Sequence, residues 1–227
     1  MILFPGFQPL DVFGPLDAFN ILSLSHTMNL YMIASTLDPV STQARHPSMN
    51  PAGSNFYQRV VPTHTFDNAP SDIDVLLIPG GIGTRAPDLG PVIEFIHNRY
   101  PSLQYLVTVC TGAALAVRSG VLQGKRATTN KLNWSLVTSL KPDPGYAPLS
   151  NSGTSGSTIT WIPQARWIRD GNIWTTAGVT AGIDAILAFI QDVYSPKDAD
   201  RVATELEFDW HQDWQWDPFG ALIEQGK

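Results

Sequence analysis

The chain has 227 residues, of which 43% are hydrophobic and 15% charged, with a net charge of -6. That is enough chain for one well-buried core, and the acidic balance argues against nucleic acid or an anionic membrane surface as a partner. One cysteine excludes an intrachain disulfide and a cysteine-based structural zinc site, and no apolar stretch approaches the roughly 20 residues that span a bilayer.

In chain order, Met1-Ile2-Leu3-Phe4 reads as the tail of a first strand. It carries no basic, signal-length segment, so a cytoplasmic location is expected. Residues 14–24 have a helical pattern and residues 30–34 a strand pattern. Residues 74–78 form an apolar run into Pro79-Gly80-Gly81, a strand entering a glycine-rich loop. A helix is expected over 92–100 and a strand over 105–109. A short strand follows at 126–129 and a helix at 132–140. Residues 164–169 and 172–176 read as a hairpin across Asp170-Gly171, and two helices close the pattern at 178–193 and 196–208. Strands and helices alternate, and the strands are apolar throughout. That combination predicts an α/β fold with a mostly parallel sheet covered on both faces. Two polar stretches rich in Pro, Gly, Ser and Thr, at 41–57 and 141–160, read as surface insertions within one domain spanning 1–227.

Chemistry concentrates where strands end. In an open α/β sheet, reactive groups gather beyond the carboxyl ends of the strands. Cys110 stands there, between the apolar run Leu106-Val107-Thr108-Val109 and the small-residue run Thr111-Gly112-Ala113-Ala114. A thiol at a strand-to-helix turn feels the helix N-terminus, which favours a thiolate and a pKa below the free-cysteine value. The other reading of a lone cysteine is a small buried hydrophobe. Asp11 follows the first strand and offers a proton shuttle; its alternative is a helix cap or turn residue. Gly80 and Gly81 can expose backbone N–H donors to a developing negative charge, and the Thr111 N–H can add another. None of the five histidines, His26, His46, His64, His97 and His211, falls in such a position. The tail Trp210-His211-Gln212-Asp213-Trp214-Gln215-Trp216-Asp217-Pro218-Phe219 favours burial against the core or a partner over a pocket wall. Its His211, Asp213 and Asp217 have no metal-ligand spacing, so no metal is expected.

Taken in order, Phe4-Pro5-Gly6-Phe7-Gln8-Pro9-Leu10-Asp11, Ile78-Pro79-Gly80-Gly81, Val109-Cys110-Thr111-Gly112, Gly124-Lys125-Arg126-Ala127-Thr128-Thr129, Ala165-Arg166 and Ala177-Gly178-Val179-Thr180-Ala181-Gly182-Ile183-Asp184 resemble the ThiJ/PfpI superfamily, and within it the isocyanide hydratase branch. The resemblance implies a flavodoxin-like fold, a strained nucleophile elbow at Cys110, a homodimer, and cofactor-free addition of water to an organic isocyanide. It also implies Asp11 as the carboxylate beside the cysteine, in place of the superfamily's more usual glutamate. Related chains commonly carry histidine after Thr129, where this one has Asn130. That departure weakens two alternatives, a glyoxalase-like conversion of methylglyoxal to lactate and a Cys-His hydrolase. A non-catalytic redox sensor, oxidised at Cys110, and a biosynthetic enzyme with a changed substrate remain as further readings.

Overall fold

Residues 1–4 run between two parallel neighbours. Ile2 bridges Ile33 and its N–H donates to Leu77 O at 3.0 Å, while the Leu3 N–H donates to Ile33 O at 2.8 Å. The computed structural model describes residues 1–146 and 158–223. After the first segment come α1 (Pro9–Leu22), β1 (Ile33–Ala34), β2 (Val40–Ser41), β3 (Arg59–Val60), β4 (His64–Thr65) and β5 (Val75–Ile78). Then follow α2 (Gly90–Arg99), β6 (Tyr105–Thr108), α3 (Ala113–Arg118), β7 (Arg126–Ala127), α4 (Trp134–Thr138) and β8 (Thr160–Trp161). The chain closes through β9 (Trp167–Asp170), β10 (Ile173–Thr176), α5 (Val179–Val193) and α6 (Pro196–Glu205).

The central sheet has the order β5-β6-β10-β9. Its first three strands are parallel and β9 is antiparallel at the edge. Short parallel pairs β1-β4 and β7-β8 accompany it. Val75–Ile78 and Tyr105–Thr108 are buried over most of their length because both faces are covered. Helices α1, α5 and α6 pack on one another, and α2, α3 and α4 form a second group. This is the flavodoxin-like arrangement, a parallel sheet between helices. The expected hairpin forms, with Ile173 opposite Asp170 and Gly171 at φ +63 in the turn.

Several boundaries move. The first helix begins at Pro9, five residues before the expected start at 14, because Pro9 supplies a ready first-turn φ and Gln8 enters extended. Asp11 therefore lies in the first turn of α1. The expected strand 126–129 stops at Ala127, the expected helix 132–140 shortens to Trp134–Thr138, and the last helix ends at Glu205, with Glu207 at φ +48. Directly after Cys110 the chain makes a 3-10 turn, Cys110–Gly112, before six residues of α-helix. The insertion at 41–57 is flanked by the antiparallel pair β2-β3, which the polar composition of the stretch concealed. Of the insertion at 141–160, residues 147–157 lie outside the described residues. Among the described residues no helix is long and apolar enough to cross a membrane.

The turn after β6 leaves no space on its sheet side. A Cβ on Gly112 would stand 2.4 Å from Ile78 O and 2.9 Å from Pro79 O. Gly112→Ala is expected to lower folding stability by about 1–3 kcal/mol, the usual range for overpacking, with urea unfolding as the measurement.

Candidate active site

Cys110 has φ +57, a left-handed conformation that L-residues other than Asn and Asp rarely adopt. Three hydrogen bonds hold it there. The Val109 N–H donates to Ile78 O at 2.9 Å, the Gly112 N–H to Val109 O at 2.8 Å, and Thr129 Oγ1 to Cys110 O at 2.9 Å. The side chain is 6% exposed.

Asp11 is fully buried, and its partner is distant in sequence. Oδ2 accepts from the Gly80 N–H at 2.9 Å, while Oδ1 has no aligned hydrogen bond. Asp11 makes no side-chain cap on α1; its carboxyl and the Cys110 thiol are close enough to change each other's ionisation. Asp11 therefore bonds a backbone N–H 69 residues away and not one of its own helix. Burial raises the carboxyl to about 7, against the opposing pull of the Gly80 N–H and the thiol. Burial, then the Asp11 charge, push the thiol up to about 12, against the Thr111 N–H and hydroxyl and the Asn130 side chain. The expected lowering of the thiol pKa is reversed. The helix behind Cys110 has only six residues and begins after a 3-10 turn, so its dipole is small beside the desolvation of a buried anion.

The turn Gly80-Gly81 has a different use from the one expected. The Gly80 N–H is taken by Asp11, and the Gly81 N–H donates to Thr111 Oγ1 at 3.0 Å. Both glycines therefore position the side chains around the sulfur, and the backbone donor directed at the sulfur is the Thr111 N–H. Gly80 is required sterically: a Cβ there would meet Thr111 N at 2.6 Å and Asp11 Oδ2 at 2.8 Å. Thr84 Oγ1, 3.3 Å from Thr111 Oγ1, donates to Gly81 O at 2.8 Å and completes the cluster.

Two further residues reach Cys110 that the sequence did not mark as contacts. Thr129 holds the Cys110 carbonyl. Asn130, the next residue, lowers the thiol pKa through its side chain; its Oδ1 accepts from Asn133 N at 2.9 Å and Asn133 Nδ2 at 2.8 Å, leaving Nδ2 as its donor. Their position just past the end of β7, level with the Cys110 turn, is the signal that could have found them. The histidines make their contacts elsewhere, His26 with Asp198, His64 with Thr63, His97 with Ser119 O, and His46 with Ser48, while His211 stacks on Trp216 at 4.0 Å. The aromatic tail is packed down. Trp210 Nε1 donates to Asp184 O at 3.1 Å, Trp214 O accepts from the Arg166 N–H at 2.7 Å, and Trp216 lies under the Arg166 guanidinium. A cleft of about 270 Å³ lies beside the glycine turn, lined by Phe7, Pro9, Phe56, Tyr57 and Ile82 among others; Cys110 does not line it.

The model of the DJ-1/PfpI family matches residues 1–192. The chain belongs to this family. It is 32% identical over 213 residues to an isonitrile hydratase of Pseudomonas putida, a match covering 91% of this chain and 76% of the relative. A ThiJ/PfpI family protein of Pseudomonas syringae superposes with a TM-score of 0.72 at 26% identity, over 99% of this chain and 84% of that one. DJ-1beta of Drosophila melanogaster has the same fold, with a TM-score of 0.69 at 15% identity over 92% and 96% of the two chains.

The raised Asp11 carboxyl carries a stability signature. Between its ordinary value of 3.8 and about 7, the folded protein holds a proton that the unfolded chain has released. Folding stability therefore falls as pH rises through that window, and the cost is complete above it. Asp11→Asn keeps an acceptor for the Gly80 N–H and removes the ionisation. Its stability relative to wild type is expected to rise by about 1.4 kcal/mol per pH unit from pH 4 to 7 and then level off, as read by urea unfolding at each pH.

Proposed function

We propose that the protein is a cofactor-free isocyanide hydratase with Cys110 as nucleophile and Asp11 as proton shuttle. The observation that carries the reading is the buried Asp11–Cys110 pair, in which a protonated thiol faces a carboxyl poised near neutrality. A pair of this kind can deliver sulfur and a proton to the same carbon. As Cys110 Sγ attacks the terminal carbon of R–NC, Asp11 takes the thiol proton and passes it to that carbon, giving the thioimidate R–N=CH–S-Cys. Asp11 then draws one proton from water as the oxygen adds to that carbon and passes it to the nitrogen, giving R–NH–CH(OH)–S-Cys. This adduct collapses to R–NH–CHO as the C–S bond breaks, and the hydroxyl proton passes through Asp11 to the departing sulfur. The sum is one isocyanide and one water to one N-substituted formamide, with enzyme unchanged. The Thr111 N–H and hydroxyl and the Asn130 amide stabilise negative charge on sulfur during attack and departure.

Shape and chemistry favour this substrate over the alternatives. A terminal isocyanide carbon is slender and linear, suited to a buried cysteine, 6% exposed as a residue, whereas a hydrated dicarbonyl is broad. Conversion of methylglyoxal needs a base to move a proton between carbons, and the residue at the sulfur is Asn130, which does not titrate near neutral pH. A peroxide sensor reacts as thiolate, which burial disfavours here. The 32% identity to an isonitrile hydratase supports the same choice. Leu10 and Phe13, both about two-fifths exposed on α1 beside Asp11, form an apolar face that a second copy would cover. A homodimer is therefore part of the proposal, expected to appear by light scattering as twice the monomer mass of 24.8 kDa.

With p-nitrophenyl or cyclohexyl isocyanide, mass spectrometry is expected to show formamide at a higher rate per site than lactate from methylglyoxal. Cys110→Ala should abolish turnover with the fold retained, and Asp11→Asn should lower kcat by about 10²–10⁴-fold, the usual worth of general acid–base catalysis. Lactate without formamide would reverse the assignment.

A further inference from the structure

Lys131 is a buried cation outside the proposed reaction. It is 4% exposed, and its Nζ donates to Thr128 Oγ1 at 2.7 Å and Ala165 O at 2.8 Å, with Asp217 Oδ2 at 3.4 Å. The Trp134 ring face lies 5.1 Å from the ammonium. Asp217 is also buried; its Oδ1 accepts from the Phe219 N–H at 3.0 Å, and Lys131 is the partner of Oδ2. The ammonium therefore joins three separate pieces of chain: the stretch after β7, the approach to β9, and the tail.

The stretch it anchors is the one that serves Cys110. Thr129 Oγ1 holds the Cys110 carbonyl, and the next residue, Asn130, has its Oδ1 taken by Asn133, which leaves Nδ2 as its donor. Asn130 is thus fixed on one side by Thr129 and on the other by Lys131. Gln164 reinforces the same junction, donating from Nε2 to Gln215 O at 3.1 Å and Asp217 O at 3.0 Å. Burying an ammonium and a carboxylate together is a poor route to stability compared with apolar packing, whereas it imposes one geometry on the groups it joins.

We propose that Lys131 is a positioning residue whose ammonium, clamped between Thr128 Oγ1, Ala165 O and Asp217 of the tail, fixes the peptide on which Asn130 presents its amide to the Cys110 sulfur. This deepens the reading of Cys110 as nucleophile, and its test does not require the isocyanide substrate. Because Cys110 is the only cysteine in the chain, alkylation by iodoacetamide reports on that sulfur alone. The rate is measured from pH 6 to 7.5, below the value of about 8 to which burial lowers Lys131, in wild type, Asn130→Ala, Lys131→Met and the double variant, with thermal melts alongside. Loss of the amide donor destabilises the thiolate, so Asn130→Ala should alkylate about three- to tenfold more slowly at each pH. Lys131→Met should slow alkylation in the same direction, and the double variant should be no slower than Asn130→Ala. A Lys131→Met protein with a lowered melting temperature but wild-type alkylation would overturn the proposal, as would effects that multiply in the double variant. Should Lys131→Met fail to fold, Asp217→Asn, which leaves the three other oxygen contacts of Nζ (Thr128 Oγ1, Thr129 O and Ala165 O) in place, carries the same test. It should slow alkylation in the wild-type background and leave the rate unchanged in Asn130→Ala; no slowing, or an equal slowing in both, would overturn the proposal. A protein that shows the expected alkylation pattern but hydrates no isocyanide would retain this role for Lys131 and lose the hydratase reading.

Discussion

A cysteine held at φ +57 is the constraint from which the rest of the site follows. The conformation costs about 1–3 kcal/mol for a residue with a Cβ, and it persists because its surroundings leave no alternative. The Val109 N–H is tied to the strand behind it, Gly112 closes the 3-10 turn against Ile78 O, and Thr129 grips the carbonyl from the far side of the sheet edge. Relaxing Cys110 would break these contacts together. The same turn brings the thiol against Asp11, which reaches it from the first turn of α1.

The site is thereby dry as well as strained, and its electrostatics follow from dryness. Removing water raises both the thiol and the carboxyl; the Asp11 charge raises the thiol further, while the thiol's hydrogen bond pulls the carboxyl down in part. Below about pH 7 the resting pair holds a carboxyl proton that an exposed pair would have lost. Asn130 and Thr111 provide partial compensation with neutral donors, which lower the thiol without bringing in a positive charge. A histidine at position 130 could supply that charge and a base; an asparagine supplies only a dipole.

The tail belongs to the same design. Buried pairs Arg166–Asp184 and Lys131–Asp217 both lie where the last segment crosses β9 and the loop after β7. Asp184 accepts from Arg166 Nε through Oδ2 and from the His211 N–H through Oδ1, so one carboxylate joins β9, α5 and the tail. The tryptophans cover these pairs, keeping them away from water and strengthening them.

Much of this was legible in the residues. The alternation of apolar strands with helices and the ordered motifs identified the fold class. Cys110 and Asp11 stood at strand ends because an open sheet collects reactive groups there. Periodicity and local turn chemistry carry such information over a few residues at a time. They could not show that α1 starts early enough to take Asp11 into its first turn, that the Gly80 and Gly81 N–H groups are occupied by side chains from 69 and 30 residues away, or that burial raises the thiol instead of lowering it. The sequence by itself determined the parallel-sheet fold and singled out Cys110 and Asp11 at the ends of its strands. Only the tertiary structure decided their ionisation and the company they keep, because desolvation and hydrogen bonding at the sulfur arise from segments that meet only after the chain has folded.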